Sequence, residues 1–189
     1  MKNIALFASG NGTNVQRIAE YFAEHENICI KLIVCNNAKA YVLERAENLG
    51  IKSYLINDKE SFYHSDIVLE ILQENNIDFI ILAGFLWLIP NAVIEAYPDK
   101  IINIHPALLP KYGGKGMYGR HVHEAVVANK EAESGITIHY VNQHYDEGKI
   151  IFQAKCPLSL EDTPEDVARK VHALEHKYFP KVIETALEK

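Results

Sequence analysis

Short apolar runs alternate with stretches of helical period along most of this chain, and few folds accept that rhythm. Residues 3–8 (Asn3, Ile4, Ala5, Leu6, Phe7, Ala8) are apolar without alternation, as in a strand covered on both faces. Val15, Ile18, Ala19 and Phe22 then recur at helical spacing. Residues 28–35 (ICIKLIVC) predict a second strand, and residues 40–49 a helix stopped by Gly50. A short strand is expected at Ser53–Ile56, and Ile67, Leu69, Ile71 and Leu72 fall in a helix running toward Asn76. Residues 78–82 (DFIIL) and 100–104 (KIINI) predict further strands. Strands and helices in this order imply an α/β fold, a three-layer sandwich with helices on both faces of a mostly parallel sheet.

The last third breaks the rhythm. Ile136, Ile138 and Tyr140 alternate with Thr137, His139 and Val141, and residues 149–156 (KIIFQAKC) predict another strand. The connection between them is too short for a parallel crossover, so an antiparallel pair is expected. Thr163, with Pro164 after it and Asp166 three residues on, opens a final helix, expected to bend or restart at Pro180. Residues 110–120 (PKYGGKGMYGR) hold four of the ten glycines and predict a mobile or specialised loop.

Composition excludes several classes. At 189 residues the chain suits a single domain spanning 1–189. No apolar run reaches the roughly 18 residues of a membrane span. The N-terminal MKNIALFASG lacks the long apolar region and cleavage site of a secretory signal. A net charge of -6 argues against nucleic-acid binding, which favours a basic stripe. Cys29, Cys35 and Cys156 form no Cys-x-x-Cys motif and read as reduced thiols of a cytoplasmic protein.

In open α/β sheets ligands bind beyond the carboxyl ends of the strands. The first strand leads into Ser9-Gly10-Asn11-Gly12-Thr13-Asn14 and a helix. That arrangement suits a phosphate, although it is neither a P-loop nor a complete G-x-G-x-x-G fingerprint. The alternative is a tight turn closed by an Asn or Thr helix cap. The strand 100–104 leads into Asn103-Ile104-His105-Pro106. Residues two apart share a face, so Asn103 and His105 project together and Pro106 ends the strand. An amide able to stabilise an oxyanion then sits beside an imidazole able to move a proton; the alternative is a hydrogen-bonded pair that merely closes a loop. Asp146, after the strand 136–141, reaches the same end if that strand runs parallel. A carboxylate there is expected to raise the His105 pKa, whereas a plain turn residue before Gly148 is the other reading. His121 and His123 are read as a non-metal pair, because residues two apart on a helix do not face each other. Trp87 lines a pocket or packs in the core, and Glu175 and His176 lie on a solvated face or reach the site.

Taken together, Ser9–Asn14, Leu82-Ala83-Gly84-Phe85, Asn103-Ile104-His105-Pro106 with Leu108-Leu109-Pro110-Lys111-Tyr112, Gly135 to His139, and Asp146 resemble the phosphoribosylglycinamide formyltransferases, folate-dependent enzymes of purine synthesis. The resemblance runs from residue 2 to about 185 and implies the Rossmann-like formyltransferase fold. It implies glycinamide ribonucleotide and 10-formyltetrahydrofolate as substrates, no tightly bound cofactor, no metal, no nucleic acid, no membrane, and a monomer or weak homodimer. By motif, Asn103, His105 and Asp146 are the catalytic trio. Gly12, Thr13, Asn14 and Glu175 hold the ribonucleotide. Leu86, Trp87, Leu88, Ile89, Asn103, Val141 and Asn142 contact the folate. Trp87 stands where the family often has a basic residue, and no role is assigned to Lys59. The implied mechanism is direct formyl transfer, with Asn103 and a protonated His105 on the oxyanion and Asp146 favouring the charged imidazole.

Alternative readings are a 10-formyltetrahydrofolate hydrolase, a methionyl-tRNA formyltransferase and a non-catalytic nucleotide-binding regulator. The first two carry additional domains for which 189 residues leave no room. The regulator has no need of Asn103, His105 and Asp146 together.

Overall fold

A computed structural model describes residues 1–188. In chain order the elements are β1 Lys2–Ala8, α1 Thr13–Phe22, β2 Ile28–Cys35, α2 Val42–Asn48, β3 Lys52–Leu55, α3 Lys59–His64, α4 Ile67–Glu74, β4 Phe79–Leu82, α5 Asn91–Ala96, β5 Ile101–His105, α6 Arg120–Ala128, β6 Glu133–Tyr140, β7 Ile150–Pro157 and α7 Pro164–Leu187. The strands form one sheet in the order β3-β2-β1-β4-β5-β6-β7. The chain groups into two compact units, Met1–Ile102 with Leu187 and Glu188, and Asn103–Ala186.

In the first unit β1 pairs parallel with β2 and β4, and β2 pairs parallel with β3. Parallel neighbours need crossovers, and crossovers in one sheet are right-handed. The chain steps from β1 outward to β2 and β3, then returns past β1 to β4, so the crossover helices fall on opposite faces. Both faces of β1 are thereby covered, which explains why Ile4 to Ala8 form an unbroken buried run. Helix α1 turns Val15, Ile18, Ala19 and Phe22 inward, as its period predicts.

Helices α3 and α5 are additions to the sequence reading. Each has six residues and buries a single side chain, Phe62 and Val93 respectively. One buried residue generates no periodicity, so the hydrophobic pattern is silent there. Asp58 caps α3 by accepting from the backbone N–H groups of Glu60 and Ser61. The helix expected over 40–49 is shorter, Val42–Asn48.

In the second unit β6 and β7 pair antiparallel, from Glu133 opposite Pro157 to Ile138 opposite Phe152, with a register shift before His139 opposite Ile150, as the short connection requires. Strand β6 begins at Glu133, earlier than the alternation suggests. Thr163 opens α7 by a reciprocal cap. The Asp166 N–H donates to Thr163 Oγ1, and Thr163 N–H donates to Asp166 Oδ2. The expected restart at Pro180 does not occur, because α7 runs as one helix to Leu187 with Pro180 inside it. No helix of the described residues is long and apolar enough to cross a membrane.

Candidate active site

Strand β5 carries Asn103 and His105 on one face, and Ile102 and Ile104 are buried on the other. Strand β6 brings Thr137 and His139 together by the same period of two. The loop after β6 then delivers Asp146. Asn103, His105, His139 and Asp146 form one polar cluster in the second unit. His105 Nδ1 lies 3.6 Å from Asp146 Oδ2, and His139 Nε2 lies 3.6 Å from Asp146 Oδ1. The Gly114 N–H donates to Asp146 Oδ2 at 2.9 Å, and Asn103 Nδ2 lies 3.1 Å from His139 Nε2.

The partners of the two imidazoles settle their neutral tautomers. His105 Nε2 is 2.7 Å from the Tyr112 carbonyl, which only accepts, so Nε2 carries the hydrogen. His139 Nδ1 is 2.9 Å from the Tyr140 carbonyl, so there Nδ1 carries it and Nε2 accepts from Asn103. The neutral His105 therefore turns its Nδ1 lone pair toward Asp146, whereas the one lone pair of His139 Nε2 accepts from Asn103. A proton arriving at His105 Nδ1 meets the carboxylate as its counter-ion.

The expected rise in the His105 pKa is not found. Burial dominates and favours the neutral ring. Asp146 and the Tyr112 carbonyl pull the other way, His139 acts with the burial, and the pKa lies below 6.5. Burial also opposes ionisation of Asp146, but His139, His105 and the Gly114 N–H outweigh it, and its pKa falls below the usual carboxylate value. Asp146 is thus held ionised, while burial disfavours the charged form of His105.

The loop 110–120 is specialised. Tyr112 adopts φ +58°, the left-handed region that costs a non-glycine residue energy, and it presents its carbonyl to His105. Its hydroxyl donates to Glu131 at 2.8 Å, and Glu131 also holds Lys111 Nζ at 2.9 Å. Gly113 has no room for a side chain, since a Cβ there lies 2.5 Å from Leu109 Cδ2 and 3.3 Å from Asp146 Cβ.

Val141 and Asn142 lie half-buried in the same loop as Asp146, where Asn142 Oδ1 accepts the His144 N–H. Glu175 is buried on α7 with Oε2 3.9 Å from His172 Nε2, and His172 stacks on His176. His121 and His123 fall on different sides of α6. His121 faces solvent beside Glu124, whereas His123 is 4% exposed and its Nδ1 has no hydrogen-bond partner among the described residues.

Burial, then His172 on α7 and His105 on β5, push the His123 pKa down to about 4. The unfolded chain therefore takes up this proton first as pH falls below 6.5. Stability is full above 6.5 and declines toward pH 4, by about 3 kcal/mol at 1.36 kcal/mol per unit. His123→Leu should flatten most of this loss, read as urea midpoints at pH 7 and pH 4.5. An unchanged pH slope would assign the acid sensitivity elsewhere.

In the first unit, the loop after β1 turns at Gly12, the N-cap of α1, with φ +76°. A Cβ there lies 2.5 Å from Val42 Cγ2. No side chain caps α1 among the described residues, so the cap alternative does not describe this loop. Thr13 and Asn14 open the helix, half-buried. Arg45, which sequence reasoning passed over, braces the loop from α2, donating to Asn11 O and Oδ1 at 2.8 Å each. Ser9 Oγ accepts the Leu86 N–H at 2.9 Å and so ties this loop to the segment Leu86–Ile89. Leu86 is exposed, Leu88 half-buried and Ile89 buried. Trp87 packs against Phe62, Tyr63 and Phe85, and Lys59 Nζ lies 5.6 Å from its ring centre, a cation–π contact.

A model of the formyl transferase family matches residues 2–183. A chloroplastic phosphoribosylglycinamide formyltransferase of Arabidopsis thaliana is 39% identical over 188 residues, covering 96% of this chain. The chain spans 64% of that relative and 61% of a similar one from Vigna unguiculata. Phosphoribosylglycinamide formyltransferase of Bacillus subtilis is 37% identical over 191 residues, covering 99% of this chain and 95% of the relative. The crystal structure of phosphoribosylglycinamide formyltransferase from Streptococcus pneumoniae superposes with a TM-score of 0.86 at 35% identity, covering 99% of each chain.

Proposed function

We propose, from the premise that this chain belongs to the formyl transferase family and within it to the phosphoribosylglycinamide formyltransferases, that it moves the formyl group of 10-formyltetrahydrofolate to the amine of glycinamide ribonucleotide. The observation that carries this reading is the ionised Asp146 set 3.6 Å from a ring nitrogen of both His105 and His139, with the His105 Nδ1 lone pair turned toward it. Formyl transfer to an amine needs that equipment. The attacking nitrogen must lose a proton, and the leaving folate nitrogen must gain one.

The amine nitrogen bonds to the formyl carbon, and negative charge develops on the formyl oxygen. Asn103 gives one amide hydrogen to His139 and has a second for the oxyanion. The proton shed by the amine goes to the His105–Asp146 pair, where His105 becomes charged only as the reaction proceeds. The tetrahedral intermediate collapses, the bond from carbon to the folate nitrogen breaks, and the same pair returns the proton to that nitrogen. Formylglycinamide ribonucleotide and tetrahydrofolate leave. No acyl-enzyme is required.

Gly12, Thr13, Asn14 and Glu175 are assigned to the ribonucleotide. The uncapped N–H groups of α1 suit its phosphate. Leu86, Trp87, Leu88, Ile89, Val141 and Asn142, with Asn103, are assigned to the folate. The test is folate release from 10-formyltetrahydrofolate with and without glycinamide ribonucleotide. Release that requires the ribonucleotide is expected. Equal release without it would make the chain a hydrolase, and no release in either case would favour a non-catalytic regulator.

A further inference from the structure

Strand β5 ends at His105, and the chain must turn at once to bring Tyr112 and Gly114 back to the cluster. Two side chains brace the turn at Ala107–Leu109. Thr137 is fully buried, and its hydroxyl is used to capacity. It donates to the Ala107 carbonyl at 2.7 Å and accepts from the Leu109 N–H at 3.0 Å and from Gln153 Nε2 at 2.8 Å. Gln153 stands directly opposite Thr137 on β7, and its Nε2 also donates to the Leu109 carbonyl at 3.1 Å. Both polar groups of Leu109 and the carbonyl of Ala107 are thus held by one cross-strand pair.

The held turn leads straight to the chemistry. Leu109 and Asp146 crowd the side-chain place of Gly113, where an added Cβ would lie 2.5 Å from Leu109 Cδ2 and 3.3 Å from Asp146 Cβ. On either side of Gly113, the Tyr112 carbonyl takes the His105 Nε2 hydrogen and the Gly114 N–H holds Asp146 Oδ2. Tyr112 keeps its left-handed conformation only while both ends of the loop are fixed.

We infer that Thr137, with Gln153 as its second arm, is a positioning residue that sets the tautomer of His105 through the turn 107–114. It touches no substrate. It decides which ring nitrogen of His105 carries the hydrogen, and so whether the nitrogen facing Asp146 is free to take a proton. The inference rests on the formyl-transfer reading for its kinetic consequence, but not for its structural one.

The test uses the full chain with Thr137→Val, which keeps the shape and removes the hydroxyl, and Thr137→Ser, which keeps the hydroxyl. Ring-nitrogen NMR of histidine-labelled protein reads the His105 tautomer without any substrate. The wild type and Thr137→Ser should show the Nε2–H form of His105, and Thr137→Val should lose it or show a mixture. In steady-state assays Thr137→Val should lower kcat by about 10²-fold, the cost of a small misplacement, with KM for both substrates within about threefold. Thr137→Ser should restore kcat to within about threefold of wild type. An unaltered His105 spectrum in folded Thr137→Val overturns the inference whatever the assays give. If Thr137→Val does not fold, Gln153→Met supplies the same spectrum, and a wild-type pattern there also overturns it. A wild type that shows the tautomer but no transfer would refute the proposed function and leave the positioning role standing.

Discussion

Asp146→Asn lowers turnover by about 10³-fold or more, the scale expected when a central proton-transfer group is lost, while the chain still folds and still binds the ribonucleotide. The change is nearly isosteric. The new amide oxygen can still accept the Gly114 N–H that Asp146 accepts at 2.9 Å. The amide is uncharged, however, and gives a protonated His105 no counter-ion. The variant also removes the one group that raises the His105 pKa electrostatically against the effect of burial. His105 is then harder to charge at the moment charge is needed. Steady-state kinetics and calorimetric binding of the ribonucleotide give the two readouts. Turnover near wild type would remove Asp146 from the chemistry.

Asn103→Ala is expected to lower kcat by about 10²–10³-fold, the loss seen when one oxyanion donor is removed, with much smaller changes in KM. The expectation follows from timing. In the proposed mechanism the second hydrogen of Asn103 Nδ2 meets the negative charge that develops only on the way to the tetrahedral intermediate, so its loss falls on kcat more than on ground-state binding. The variant also leaves His139 Nε2 without the donor now 3.1 Å away. His139 remains tethered through Nδ1 to the Tyr140 carbonyl, so the ring should stay in place. A loss confined to KM would make Asn103 a binding residue alone.

Short-range interactions are legible in a sequence, and long-range ones are not. The parallel core was legible because β1 is buried on both faces and shows it as an unbroken apolar run. The pairing of β6 and β7 was legible because chain length limits what a short connection can do. Asn103 and His105 were legible because a period of two and a terminating proline place them without any tertiary knowledge. His139 had the same signal, alternating with buried Ile136 and Ile138, but only the fold reveals that the polar face of β6 meets Asp146. The sign of the His105 shift was misjudged for a related reason. A carboxylate is visible in a sequence, whereas the burial that outweighs it is not. The Tyr112 carbonyl and the Arg45 brace on Asn11 were hidden too, the first in a backbone angle and the second in a contact between residues far apart in the chain.

Label in the formyl carbon separates direct transfer from hydrolysis and from an acyl-enzyme. With [13C-formyl]-10-formyltetrahydrofolate and glycinamide ribonucleotide, carbon NMR follows where the labelled carbon goes. Direct transfer by the cluster around Asp146 predicts that the label passes from the folate to the ribonucleotide amide, with no protein-bound label and little free formate. Label accumulating as formate, or on the protein before it reaches the amine, would contradict it.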